Sequence, residues 1–198
     1  MQAPRICPGA LGRVMSSYRF DRLKILVVDD NLHMRRLIVA ILQAFGVVQI
    51  QEAMSGETAW PILRDSNPDV VFLDWQMNGM TGLDFARLVR TSPQSPNPFI
   101  PIIMLTGHTH VDHVRLARDA GVNEFLAKPV SVKGILTRLI SVIEHPRPFV
   151  RTKTYFGPCR RRRASEEYRG PERRATGETT ALDEPPTSKN NRKVERTP

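Results

Sequence analysis

Cysteine is nearly absent from this 198-residue chain: the only two are Cys7 and Cys159. They sit near opposite ends and form no disulfide framework, which excludes a stapled secreted scaffold and points to a reducing compartment, the cytoplasm. Long apolar runs are lacking too. None approaches the roughly 20 residues of a membrane span. The opening segment 1–14 carries two Arg, two Pro and two Gly, without the apolar core of a signal peptide. Met15 directly precedes the patterned region, so translation from Met15 is an expectation. Past Glu144 aliphatic residues almost vanish, so the tail has too little to bury a second core. Helix-turn-helix periodicity is missing there as well, which argues against a DNA-binding output domain.

Charge is scarce in one sense only. From Tyr18 to Glu144 thirteen Lys/Arg balance thirteen Asp/Glu, whereas from Arg151 to Pro198 thirteen Lys/Arg face seven Asp/Glu. Of the net +9, this tail supplies +6, and Arg5, Arg13 and Arg147 the rest. A neutral block with a basic tail implies that the tail meets something anionic. The chain thus divides into an N-terminal extension (1–17), one domain (18–145) and a basic tail (146–198), with both ends expected to be disordered.

What the middle does contain is regular. Lys24–Val28 is an apolar run that ends in Asp29-Asp30-Asn31. Asn31 is suited to cap a helix whose apolar residues Met34, Leu37, Ile38, Ile41, Leu42 and Phe45 recur at three- and four-residue spacing, closed by Gly46. Val47–Glu52 reads as a second strand, and Ser55-Gly56-Glu57 opens a second helix, in which Pro61 should produce a bend or an early end. Val70–Leu73 is apolar on both faces and ends in Asp74. A short helix over Gly82–Arg90 follows. Ile102–Thr106, Val111–Ala120, Glu124–Ala127 and a helix from the Ser131 cap to about Glu144 complete the alternation. Five strands alternating with five helices predict an α/β fold: a doubly wound, five-stranded parallel sheet in the flavodoxin-like order 2-1-3-4-5.

With that order the ends of strands one, three, four and five share one crevice, where such sheets bind ligands. The residues delivered there are Asp29, Asp30, Asp74, Thr106 and Lys128. Three converging carboxylates repel one another and call for a cation, and all-oxygen ligands with open positions suit Mg²⁺. An ammonium and a hydroxyl beside a carboxylate make a receptor for a phosphoryl group that moves onto it. Gly107 leaves space. His108, His110 and His113 invite a zinc reading, but no Cys or fourth ligand is nearby, and His108 better suits the phosphate's approach. Trp75 and Met80 read as packing at the rim.

The set Asp29-Asp30, Asp74 followed by Met77 and Gly82, Thr106-Gly107 and Lys128-Pro129 resembles the receiver domain of two-component response regulators, over about Lys24 to Glu144. The resemblance implies that Asp74 is the phosphoacceptor, with Asp29, Asp30, Asp74 and the Gln76 carbonyl holding Mg²⁺. It implies that Thr106 and Lys128 grip the phosphoryl group, that Lys128-Pro129 is a cis peptide, and that Phe125 is the switch aromatic that moves with Thr106. Asn78 stands where the family usually has Pro. A sensor histidine kinase or phosphotransfer protein would be the donor, and a protein would be the target. Such a chain is a signalling protein rather than an enzyme, catalysing only its own phosphorylation and dephosphorylation. A receiver-like domain that only docks, with the tail sensing a ligand, is the alternative.

The tail holds an internal repeat: Tyr155-Phe156-Gly157-Pro158-Cys159-Arg160-Arg161 recurs as Tyr168-Arg169-Gly170-Pro171-Glu172-Arg173-Arg174. Arg offers stacking planes and bidentate pairing to guanine, and a duplicated unit suits a ligand with two equivalent halves. The pattern resembles the arginine-rich extension of Cle-type CheY-like proteins, which bind cyclic di-GMP and act on the flagellar motor. That implies binding through Arg169, Glu172, Arg173 and Arg160. The first copy departs from it at Phe156 and Cys159. A non-specific basic arm, or contact with nucleic acid or an acidic protein, are the other readings.

Overall fold

The computed structural model describes residues 18–107, 111–152, 154–159 and 180–182, with backbone alone for 111–113 and 180–182. Strands β1 (Lys24–Val28), β2 (Gln49–Ala53), β3 (Val70–Asp74), β4 (Ile102–Thr106) and β5 (Glu124–Ala127) form one parallel sheet in the order β2-β1-β3-β4-β5, as the alternation predicts. Helices α1 (Leu32–Ala44), α2 (Gly56–Ser66), α3 (Gly82–Thr91), α4 (Val111–Asp119) and α5 (Val132–Glu144) connect and follow them.

Strand side chains alternate between the two faces, and this sorts the core into two layers. Ile25, Val27, Phe72, Ile103 and Leu105 pack against Ile38, Ile41 and Leu42 of α1 and Ile135, Leu136 and Leu139 of α5. Leu26, Val28, Leu73, Ile102 and Met104 face the other way, onto Leu63 of α2, Phe85 and Val89 of α3 and Ala117 of α4. β3 and β4 are buried along their whole lengths, which is why they read as unbroken apolar runs.

The helix ends follow their sequence signals. Asn31 caps α1, accepting from the His33 and Met34 amides, and Ser131 caps α5. Gly46, at φ +87°, ends α1, its amide and that of Val47 bonding back to Gln43 and Leu42. Val47 is thereby used in the turn, so β2 begins at Gln49 rather than Val47. Helix α2 continues through Pro61 to Ser66, since one ring removes one backbone bond while Ala59 and Leu63 still bury the inner face.

The tail needs a correction. The expectation of a disordered segment from residue 146 fails for its first part. β6 (Phe149–Arg151) and β7 (Phe156–Pro158) form an antiparallel hairpin, and β8 (Thr180–Leu182) pairs with the other side of β6. Phe149 is only 2% exposed. Its ring stands with those of Phe99 and Phe156 at centroid separations of 5.1 to 5.6 Å. Beneath it lies the buried Arg90, whose guanidinium donates to Gly121 O, Pro98 O, Ile100 O and Asn123 Oδ1 at 2.7–3.0 Å and stacks 5.2 Å from the Phe149 ring. Arg-rich composition averaged over the tail hides Phe149, Tyr155 and Phe156, whose docking surface is assembled from segments remote in sequence.

The same packing absorbs the first tail repeat. Tyr155 Oη donates to Pro158 O at 2.8 Å, Gly157 lies against Gly121, and Phe156 joins the aromatic cluster. Arg160 and the whole second repeat, with Arg169, Glu172 and Arg173, lie outside the described residues, as do the segment 1–17, His108 and His110. If the hairpin is part of the core, Phe149→Ala should lower the unfolding free energy by about 3 kcal/mol, as for other buried Phe truncations. Urea denaturation of the full chain measures this; an unchanged midpoint would return the hairpin to the tail.

Candidate functional site

Strands β1, β3, β4 and β5 deliver the site's groups at the C-terminal edge of the sheet. Val28 is the last residue of β1, and the Asp29 amide still bonds to Ala53 O, so Asp29 is held at the sheet edge with no exposed surface. Its Oδ1 accepts from the Asn31 amide at 2.8 Å, which folds the Asp29-Asp30-Asn31 turn into the α1 cap. Asp74 ends β3 and is 5% exposed. Thr106 ends β4, equally buried, one residue beyond Leu105, the register partner of Asp74. Lys128 follows β5 directly, its amide bonding to Thr106 O, and the Lys128-Pro129 peptide is cis, as the resemblance implies.

Lys128 joins the two buried carboxylates. Its Nζ lies 3.0 Å from Asp29 Oδ2 and 2.9 Å from Asp74 Oδ1. Burial pushes the Asp74 carboxyl above its ordinary value; the Lys128 hydrogen bond opposes that rise and the Asp29 charge adds to it. Burial also works to lower the Lys128 ammonium, yet its bonds to Asp74 and Asp29 outweigh this and leave its pKa raised. Asp30 is the exposed member. Its Oδ2 accepts from the Asn78 backbone amide at 3.2 Å and from Asn78 Nδ2 at 3.0 Å.

Asp29, Asp30 and Asp74 each offer an oxygen within 4.8 Å of the others. Three anionic oxygens so close, one of them toward solvent, fit a hard divalent cation that keeps part of its water shell. Gln76 is exposed in the loop after β3. Among the described residues, chain neighbours aside, nothing lies within 4 Å of where a Gly107 side chain would start, in line with the space beside Thr106 expected from sequence. Phe125 is half-buried and pairs in register with Met104, two residues before Thr106, so Phe125 and Thr106 share one face of the sheet. Its carbonyl accepts from Arg138 Nε at 2.8 Å. Trp75 and Met80 pack at the edge of the second core layer, the rim role expected of them.

Three contributors escape a reading of the sequence. Arg35 donates from Nη1 to Asp29 O at 2.8 Å and pairs through Nε with Glu52 at 3.2 Å, bracing the β1 turn. Glu57 accepts from the Met80 amide at 3.1 Å, tying the loop after β3 to α2. Asn78, noticed only as a departure, bonds directly to Asp30. Nothing local in the sequence marks any of the three. Gly82 has a different reason to be glycine: any side chain there would be driven into the Asp74 backbone carbonyl, so α3 starts hard against the site.

Two buried carboxylates bridged by one ammonium, with a third carboxylate beside them, form an acidic pocket at the edge of a doubly wound sheet. The chain belongs to the response regulator receiver domain family, which matches residues 25–140. The chemotaxis protein CheY of Pseudomonas aeruginosa is 36% identical over 122 residues, 62% of this chain and 97% of that protein. CheY1 of Helicobacter pylori is 38% identical over 123 residues, 61% of this chain and 97% of that protein. Among solved structures, chemotaxis protein CheY4 of Vibrio cholerae superposes with a TM-score of 0.56 at 31% identity, covering 61% of this chain and 98% of its own. The receiver domain of the histidine kinase CKI1 from Arabidopsis thaliana, complexed with Mg²⁺ and BeF₃⁻, gives a TM-score of 0.52 at 26% identity, covering 59% of this chain and 89% of its own. Receiver domains generally bind Mg²⁺ at an acidic pocket such as this one.

Removing the ammonium should therefore unbalance the site. Lys128→Met leaves two buried carboxylates unpaired and is expected to cost about 3 kcal/mol at neutral pH, read by urea denaturation. The pH dependence has a definite sign. A raised Asp74 pKa means the folded chain holds that proton more tightly, so ionised Asp74 opposes folding above the ordinary carboxylate range. The deficit of the variant should thus shrink as pH falls into that range. In the wild type the raised Lys128 pKa gives stability that is full below the ordinary lysine value and lost as pH climbs through the higher folded one.

Proposed function

We propose that this chain is a phosphorylated response regulator whose phosphoacceptor is Asp74, acting in the cytoplasm with Mg²⁺ held by Asp29, Asp30, Asp74 and the Gln76 carbonyl. The observation that carries this reading is the Lys128 ammonium within 3.0 Å of both Asp29 and Asp74. A phosphohistidine of a sensor kinase or phosphotransfer protein is the donor. An Asp74 oxygen attacks phosphorus, the phosphorus–nitrogen bond breaks, and the imidazole leaves with the bonding pair. Lys128 follows the charge from the carboxylate to the phosphoryl oxygens, and the Thr106 hydroxyl donates to another of them. The bound cation would neutralise phosphoryl charge and the three carboxylates together. Hydrolysis by water returns Asp74, so the chain catalyses only its own phosphorylation and dephosphorylation.

Output runs through protein contact. Thr106 moving toward the phosphoryl group vacates space on the face it shares with Phe125, and the ring follows it inward. This remodels the surface made by α4, β5 and α5. The relatives in P. aeruginosa and H. pylori are chemotaxis proteins, which supports a chemotaxis or flagellar motor component as the target. Among the described residues no helix is long and apolar enough to cross a membrane.

Labelling with a small phosphodonor such as acetyl phosphate tests this reading. Wild type should label only with Mg²⁺, and Asp74→Asn should lose the label. Thr106→Ala should still label but lose the phosphorylation-dependent change in affinity for its target. Wild type that fails to label would leave the docking-only sensor in possession of the data.

The tail supports a second reading, cyclic di-GMP binding. The first repeat is packed into the core through Phe156, Gly157 and Pro158, so by sequence only Arg160 and the second copy, Arg169, Glu172 and Arg173, are left for a ligand. A single copy of the motif suits half of a two-fold ligand, the other half coming from a second chain. Calorimetry with cyclic di-GMP should give heat that Arg169→Ala and Arg173→Ala abolish. No heat from the intact chain, with anion binding that weakens steeply in salt, would identify a non-specific basic arm.

A further inference from the structure

We infer that Asn78 is a positioning residue for the divalent cation: its two donors hold the Asp30 carboxylate within the acidic cluster, so that the cation meets a formed site. The inference rests on the metal reading above and adds a residue to it.

The three carboxylates are unequally constrained. Asp29 and Asp74 are buried, share Lys128, and are fixed at strand ends. Asp30 is exposed, lies on a turn and is repelled by both. Left alone, its side chain would rotate toward solvent, and cation binding would have to overcome that repulsion and order the side chain. Asn78 removes this freedom. Both its backbone amide, at 3.2 Å, and its Nδ2, at 3.0 Å, donate to the same oxygen, Asp30 Oδ2. Oδ1 takes no bond from Asn78 and keeps its lone pairs for a cation.

Asn78 can do this because its loop is itself braced. Met77, the residue before it, is 7% exposed and packed into the core. Gly79 takes φ +79°, Glu57 accepts from the Met80 amide, and the Gly82 amide bonds to Trp75 O at 3.0 Å. The donor pair is neutral, so it holds the carboxylate without the repulsion that an ammonium at that place would exert on an incoming cation. Lys128 serves Asp29 and Asp74; Asn78 serves the third carboxylate.

The test is the magnesium affinity of the full chain by titration calorimetry, beside acetyl phosphate labelling. Asn78→Ala keeps the backbone donor, and Asn78→Pro removes both. With each bond to a charged group contributing modestly, the magnesium Kd should rise about threefold in the first and on the order of tenfold in the second. Labelling at saturating Mg²⁺ should keep the wild-type rate, while the half-saturating concentration rises by the same factors. A merely structural role would lower the saturated rate or the melting temperature in chelator instead. Because Asn78 is exposed, neither variant disturbs the core. A Kd unchanged or tighter in both variants overturns the inference and leaves the pocket standing. Wild type that binds no magnesium overturns both readings.

Discussion

Two carboxylates buried at the edge of a sheet and one ammonium between them set the terms for the rest of this molecule. Asp29 and Asp74 are both withdrawn from water, and Lys128 at 3.0 and 2.9 Å offsets their mutual repulsion. Bringing Lys128 there requires β5 to lie next to β4, and Asp29 to meet Asp74 requires β1 beside β3. The order β2-β1-β3-β4-β5 satisfies both. The two apolar layers keep those strands in register, so packing in the core is what holds the charges at the rim.

The balance is deliberately incomplete in a chemical sense. Asp74 is left with a raised pKa, and Asp30 takes neutral donors instead of a cation. Three carboxylates share one ammonium, an excess of acidic groups that suits a divalent cation. Stability given up at the edge is supplied by the interior, where β3 and β4 are buried along their full length.

At the opposite end of the sheet a different solution appears. Arg90 is buried with carbonyls, one amide oxygen and an aromatic face as its partners among the bonds described. The β6–β7 hairpin closes over it, so the domain continues to Cys159 and the tail starts from a fixed point. One copy of the repeated Gly-Pro unit is thus a core element through Phe156, Gly157 and Pro158.

Much of this was legible beforehand. Apolar strand runs ending in Asp29, Asp74 and Thr106, helix periods opening at Asn31 and Ser131, and Lys128-Pro129 after a short strand carry their information locally, because burial on both faces and capping depend on neighbouring residues. Their order along the chain was enough for the sheet and for the residues that meet at its edge. Tertiary structure alone decided the rest. Asn78 bonds to a residue on another strand's turn, Arg35 braces a carbonyl, and Phe149 finds its place only because the segments at 98–100 and 121–123 come together around Arg90. No local pattern encodes these, since each bond joins groups whose proximity exists only after the sheet has formed.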